Sequence, residues 1–296
     1  MLDFDEQHTS SLVSKRRGLL RNAGLGTAFA AAAGLGLFRS SNALAALAAP
    51  TDADILNFAL NLEYLEAEFY LMAVNGVGLS AADSTGVGAV GDVIGGAVVP
   101  FATPAMYQYA KSIANDELAH VQYLRSALGS AAVARPTVDL YNSFNTAALA
   151  AGLIQPGQTF NPFADEASFL LGAYIFEDVG VTAYNGAAPL IQSKAYLGAA
   201  ASILAVEAYH AATVRTLLFQ LGKGDATAKI SALRAAASGA TDDQGVVMNG
   251  QSNITPTDIH ALAFSRTTTQ VLNIVYLGGA SGNYGFFPKG LNGAIA

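Results

Sequence analysis

Apolar residues recur at helical spacing along four long stretches of this chain. In the first stretch, Leu56, Leu60 and Leu65 are among the apolar positions. The second stretch opens with Pro104, which suits a first helical turn, and stops before Gly129, which suits a helix end. The pattern therefore predicts four long helices, at about residues 52–74, 104–128, 162–184 and 193–221.

Segments rich in glycine, proline and asparagine separate these helices. A Gly-rich stretch covers residues 75–101, and the link from 129 to 162 is too broken by Pro, Asn and Thr to hold a single regular element. Two short helical pieces, at about residues 225–238 and 256–276, precede a tail rich in glycine and aromatic residues. The elements together predict an all-α chain.

The N-terminal segment has the pattern of an export signal. Arg16 and Arg17 precede an Ala/Gly/Leu run from Ala23 to Phe38, and small-residue cleavage sites follow before residue 49. This arrangement is similar to a twin-arginine signal, so we expect a periplasmic or extracellular protein. The run is short for a bilayer span of about 20 residues, and we expect no stable span after cleavage. An uncleaved membrane anchor is the alternative.

Composition narrows the possible partners and ligands. Charged residues make up 12% of the chain, the net charge is -7, and Lys and Arg form no cluster beyond residue 39, so no nucleic-acid partner is expected. Cysteine is absent from the sequence. This excludes disulfides and thiolate metal sites, so any metal must be held by oxygen and nitrogen atoms.

Two Glu-x-x-His motifs are the strongest chemical signal in the sequence. Glu117 and His120 lie in the second predicted helix, and Glu207 and His210 lie in the fourth. Residues three apart share a helix face, so each motif can present a carboxylate and an imidazole to one metal ion. The whole chain contains four histidines, which makes a chance occurrence of both motifs improbable.

The other two helices each carry a glutamate in an apolar setting. Glu63 precedes Tyr70 by seven residues, and Glu177 precedes Tyr184 by the same distance. Burying a carboxylate is costly unless its charge is compensated, and two divalent ions would compensate four carboxylates. The predicted metal ligands are therefore Glu63, Glu117, His120, Glu177, Glu207 and His210.

Other interpretations of these residues stay open at this stage. Glu66 lies one helical turn after Glu63 and could replace or supplement it as a ligand. Tyr70 and Tyr184 either support the ligands or are ordinary aromatic core residues. His260 has no glutamate three residues before it, so we expect it not to bind the metal.

The order Glu, Glu-x-x-His, Glu, Glu-x-x-His over residues 52–222 resembles the ferritin-like superfamily. The segments 62–70, 266–276 and 285–288 are similar to an exported branch related to plant desiccation-related proteins. The resemblance implies an antiparallel four-helix bundle with a long crossover. The expected organisation is a signal segment at 1–48, a bundle at 49–222 and a C-terminal extension of short helices and a Gly/aromatic tail at 223–296.

The resemblance also implies a function. We expect an exported carboxylate protein holding two Fe ions, which reacts with dioxygen or hydrogen peroxide in a ferroxidase or peroxide-scavenging stress role. A manganese catalase with two Mn ions is the first alternative, since both metals accept oxygen and nitrogen ligands. A non-catalytic structural protein of desiccation stress is the second. A homodimer is possible in each case.

Overall fold

The computed structural model describes residues 49–279 and 285–296, so the predicted export signal lies outside the described residues. Short 3-10 turns, Gly129–Ala131 and Ala188–Leu190, follow two of the long helices. The elements in chain order are α1 (Asp52–Asn75), α2 (Ala81–Ser84), β1 (Val93–Ile94), α3 (Pro104–Leu128), β2 (Val138–Asp139), α4 (Asn142–Ala150), α5 (Glu166–Ala187), α6 (Lys194–Gln220), α7 (Gly224–Ser238), β3 (Val247–Met248), β4 (Gln251–Ser252) and α8 (Thr268–Val275).

Helices α1, α3, α5 and α6 form the predicted all-α, antiparallel four-helix bundle, with α1 packed on α3 and α5 packed on α6. Helix α1 is buried around most of its circumference, which explains why its apolar residues are not confined to one face. Its first turn is fixed by a capping box in which Thr51 and Asp54 exchange side-chain and backbone hydrogen bonds. Gly76 ends the helix in the left-handed conformation, at φ +70°.

Helix α5 begins four residues later than the sequence pattern indicated. Asp165 caps it, because its side chain accepts a hydrogen bond from the backbone N–H of Ser168. The residues from Pro162 to Asp165 form turns instead of a helix. This shift leaves the predicted site residue Glu177 in the middle of α5.

The crossover between the helix pairs contains short regular elements. Strand β2 pairs in parallel with β1 through Val93 with Val138 and Ile94 with Asp139. Helix α4 follows and places Phe144 against Phe69 and Phe176 in the core. The crossover is therefore packed against the bundle and helps to close its core.

The prediction of a helix over residues 256–267 is wrong, since α8 covers Thr268–Val275 alone. The carboxylate of Asp258 accepts hydrogen bonds from the backbone N–H groups of His260 and Leu262, and Ala261 has φ +58°. These local bonds stabilise a loop in competition with a helix. Helix α7, by contrast, begins and ends within one residue of its predicted bounds.

The C-terminal tail returns to the first helix. Buried Asn61 donates a hydrogen bond from its side-chain amide to the backbone oxygen of Asn292 at 2.8 Å and accepts one from the backbone N–H of Asn292 at 3.1 Å. The backbone N–H of Asp139 also donates to the carbonyl of Phe286 at 2.9 Å. These bonds join the tail to both α1 and the crossover.

One described helix, α6, is long and apolar enough to cross a membrane when length and composition alone are considered. Its most apolar window has a mean hydropathy of 1.3, and a third of that window is buried in the fold. The same helix places Glu207, His210 and Arg215 inside the protein.

Candidate metal centre

The four bundle helices bring all six predicted ligands together. Their carboxylate and imidazole atoms form two groups, within each of which the contributing atoms lie no more than 4.8 Å apart. Glu117 and Glu207 belong to both groups, so each can bridge two metal positions. The first group is Glu63, Glu117, His120 and Glu207, and the second is Glu117, Glu177, Glu207 and His210.

Both histidines direct Nδ1 towards the shared carboxylates. His120 Nδ1 lies 3.2 Å from Glu63 Oε2 and 3.4 Å from Glu207 Oε1. His210 Nδ1 lies 2.9 Å from Glu117 Oε1 and 3.6 Å from Glu177 Oε2. Each group therefore offers a metal ion one imidazole nitrogen, one carboxylate of its own and two shared carboxylates.

The donor atoms show that the residues fit a pair of metal ions. Both oxygens of Glu117, both oxygens of Glu207, Glu177 Oε2 and His210 Nδ1 are buried, and although they lie close together they make no well-aligned hydrogen bond among the described residues. Buried polar atoms are normally paired, and leaving them unpaired is costly. Two dications would balance the four carboxylates and bind the unpaired atoms while both imidazoles stay neutral.

Tyr70 and Tyr184 both support the ligands, and they do so crosswise. The hydroxyl of Tyr70 on α1 donates to Glu177 on α5, and the hydroxyl of Tyr184 on α5 donates to Glu63 on α1. All four side chains are buried. Each tyrosine therefore orients the glutamate of the opposite helix and not the glutamate seven residues before it in the sequence.

Asp116 contacts the candidate centre, and the sequence analysis missed it. Its Oδ2 lies 3.1 Å from Nε2 of His210, on the side of the ring away from the shared carboxylates. Such a carboxylate fixes the ring orientation and raises the basicity of a metal-binding histidine. The sequence feature that could have indicated this contact is the aspartate directly before Glu117. The second motif has no such carboxylate, because Val206 stands at the matching position before Glu207.

A surface cavity of about 310 Å³ leads to this side of the centre. Helix α3 contributes Tyr109, Ser112 and Asp116 to its lining, and α6 contributes Tyr209 and His210. The side chain of Asp116 is 46% exposed, whereas that of His210 is 6% exposed. The cavity therefore gives small molecules a route from solvent to one histidine of the centre.

Glu66 is buried near the centre but belongs to neither ligand group. Burial, followed by repulsion from Glu207 and the other site carboxylates, raises its pKa well above the ordinary value. A Cβ added at Gly180 would lie 2.4 Å from Glu207 Oε2 and 3.5 Å from Glu66 Oε1. Glycine at position 180 therefore leaves the space in which these two carboxylates sit.

The charges of the clustered groups shift one another strongly. Burial raises the pKa of Glu63 to about 7 and that of Glu177 to about 8, with repulsion from Glu117 adding to both. Burial opposes ionisation of Glu117 too, but His120 and His210 outweigh it and lower its pKa to about 2. Burial also disfavours both imidazolium forms. The surrounding carboxylates nevertheless raise the pKa of His210 to about 10 and that of His120 still further.

A second buried charge network lies beside the centre, and the sequence analysis did not foresee it. Asp178 follows Glu177 and accepts hydrogen bonds from Arg215 at 2.7 Å and Arg234 at 2.8 Å. Arg234 also pairs with Asp243, which in turn pairs with Arg266. The network joins α5 and α6 to the C-terminal extension. Its long-range partners could not be read from local sequence patterns.

Comparison with known proteins bears on the fold and the centre together. A family model described as the ferritin-like domain matches residues 51–220. The chain belongs to the ferritin-like family. The match ends at the close of α6, so the ferritin-like domain contains every ligand of the candidate centre.

Two curated relatives extend over most of this ferritin-like chain. It is similar to the ferritin-like catalase Nec2 of Nesocodon mauritianus, with 29% identity over 270 residues, covering 83% of this chain and 85% of the relative. It is also similar to the desiccation-related protein PCC13-62 of Craterostigma plantagineum, with 30% identity over 246 residues, covering 75% and 76%. Each of these matches therefore covers more of the chain than the ferritin-like domain alone.

Proposed function

We propose that this ferritin-like chain is a dinuclear metal enzyme that decomposes hydrogen peroxide. The observation that carries the proposal is the pair of buried ligand groups sharing Glu117 and Glu207. The name of the relative Nec2, a ferritin-like catalase, supports peroxide as the substrate. When bound, two Fe or two Mn ions would supply the electron exchange that turns peroxide into water and dioxygen.

The residues of the chain have separate tasks in this proposal. Glu117 and Glu207 would hold the two ions together, while Tyr70 and Tyr184 orient the terminal carboxylates. Peroxide would approach through the cavity beside His210, whose size admits a small polar molecule. Asp116 would keep the imidazole of His210 directed at its metal ion.

The test loads the metal-stripped protein with Fe(II) or Mn(II) without oxygen and measures peroxide consumption and dioxygen release. We expect about two ions per chain and one dioxygen for every two peroxides with the native metal. A Glu117→Ala/His210→Ala variant should bind less metal and lose this activity. A fully loaded wild type that leaves peroxide unchanged would overturn the proposal, and rapid Fe(II) oxidation by dioxygen would then favour a ferroxidase.

A protective role in drying is the second candidate. It is motivated by the relative named a desiccation-related protein, which matches three quarters of this chain. In this role the folded chain itself would protect the cell, and protection would not depend on the metal centre. Cells producing the Glu117→Ala/His210→Ala variant would then survive drying as well as cells producing the wild type, whereas a catalytic role predicts lower survival.

We also infer export by a twin-arginine route. The support is the pair Arg16 and Arg17 before an apolar run, and this route would carry a folded, metal-loaded protein. An Arg16→Lys/Arg17→Lys variant should accumulate in the cytoplasm of a bacterial host as the uncleaved chain. Unchanged export of that variant would contradict the inference.

A further inference from the structure

A cleft of about 340 Å³ lies between α5, α6 and the C-terminal extension, and none of the candidate metal ligands lines it. Val181, Ile254 and Phe264 contribute apolar surface, and Ala208 on α6 leaves room along one wall. Cavities of about this size hold small organic molecules. Residues after 220, beyond the match to the ferritin-like domain, form much of its lining.

The cleft has a charged base provided by the buried network. Asp178, Asp242, Asp243 and Arg266 line it, and Arg266 is 3% exposed. Arg266 donates to Thr182 at 2.7 Å and pairs with Asp243 at 2.8 Å. The aspartates Asp178, Asp242 and Asp243 balance the arginines Arg215, Arg234 and Arg266. A charged ligand would disturb this balance, so the base favours a neutral molecule.

Two buried polar atoms of residues that line the cleft lack a hydrogen-bond partner among the described residues. One is the donor Nε of Arg266, and the other is the acceptor Oδ1 of Asp242. Asp242 Oδ1 lies 3.7 Å from the neighbouring Nη2 of Arg266, too far for a hydrogen bond. A hydroxyl group can accept from one such residue and donate to the other, whereas a carboxylate can only accept.

We propose that this cleft binds a neutral hydroxylated aromatic compound of the phenol class. The aromatic ring would lie against Ile254 and Phe264, and the hydroxyl would accept from Arg266 and donate to Asp242. A rigid ring loses little conformational freedom on binding, which suits a small apolar cleft. The proposal concerns binding alone and does not depend on peroxide chemistry at the metal centre.

The experiment titrates the purified, metal-loaded protein with 2-naphthol by calorimetry. Ala208→Trp fills the cleft from an exposed position on α6, and Ala205→Trp places the same side chain three residues earlier, outside the cleft. Asp242→Asn removes the carboxylate of a partly exposed residue. The anion 2-naphthoate is the matched ligand without a hydroxyl donor.

We expect one molecule of 2-naphthol per chain, at least tenfold weaker binding by Ala208→Trp, and wild-type binding by Ala205→Trp. Asp242→Asn should weaken binding of 2-naphthol and strengthen that of 2-naphthoate. Metal content and thermal unfolding, measured for each variant, confirm that the fold is kept. The proposal is overturned if the wild type does not bind 2-naphthol saturably, if folded Ala208→Trp binds it unchanged, or if 2-naphthoate binds the wild type more tightly.

Discussion

The hydroxyl of Tyr70 donates a hydrogen bond to Glu177, which lies on a different helix of the bundle. The equivalent bond from Tyr184 to Glu63 runs in the opposite direction between the same two helices. Glu63 belongs to the first ligand group alone, and Glu177 belongs to the second alone. Each of these two glutamates thus accepts a hydrogen bond from a tyrosine on the helix that carries the other. This exchange couples the geometry of the two metal positions.

Replacing Tyr70 with Phe should weaken the metal position that contains Glu177. Loss of one orienting hydrogen bond on a ligand lowers metal affinity by about tenfold. Metal titration of the stripped protein checks this. Tyr64→Phe is the matched control, because Tyr64 is a buried tyrosine of the same helix that donates to Val133 at 2.9 Å, away from the centre. Equal affinities for both variants would contradict the role of Tyr70.

Asp116→Asn should reduce metal affinity through His210. The carboxylate next to Nε2 of His210 makes the ring a stronger ligand, and its removal is expected to cost about tenfold or more in affinity. Asp225→Asn, at an exposed position in α7, serves as the control. Competition with a metal-sensitive dye gives the measurement. An Asp116→Asn protein that holds both ions as tightly as the wild type would refute this prediction.

Gly180→Ala should displace Glu207 and reduce the number of ions bound. The added Cβ would lie 2.4 Å from Glu207 Oε2, which is too close for two non-bonded atoms. Gly198→Ala on α6 is the control, because its Cβ would meet no atom within 4 Å. That control should keep both ions and gain up to about 1 kcal/mol of stability. Elemental analysis and thermal unfolding separate the two outcomes.

The stripped protein should become less stable as the pH rises. The pKa values of Glu63 and Glu177 are raised from 4.5 to about 7 and 8, and that of His210 from 6.5 to about 10. Stability from a raised pKa is fully present below the unfolded value and is lost as the pH rises through the folded value. Unfolding temperatures after chelation should therefore fall between about pH 5 and pH 10.

Reloading with metal is the control for this pH dependence. Bound dications take over the compensation of the carboxylates, so the loaded protein should show a much smaller decline over the same range. Metal uptake near neutral pH should also release protons, because His210 must lose its proton to bind. Identical pH profiles for the stripped and loaded proteins would show that the cluster titrates independently of the metal.

The sequence predicted the bundle and singled out six side chains that the fold brings together, because helical spacing is a local property. Glu117 with His120 and Glu207 with His210 can be read from one turn of helix each. The hydrogen-bond partners of Tyr70 and Tyr184 could not be predicted from the sequence, since they depend on how α1 and α5 face each other. Asp178, Arg234 and Arg266 were missed for the same reason, because long-range packing alone pairs them. The loop at Asp258 was mistaken for helix because its side chain replaces helical hydrogen bonds with local ones.

The paired hydrogen bonds between Asn61 and Asn292 have a consequence for synthesis. They connect residues that are 231 positions apart, and the side chain that makes them, that of Asn61, is buried in α1. Contacts of such long sequence separation form late, because a large loop must close first. The first helix, in which Glu63 lies two residues after Asn61, therefore completes its packing only after residue 292 has been synthesised. The last of the candidate metal ligands, His210, is thus synthesised more than 80 residues before the segment that completes the packing of α1.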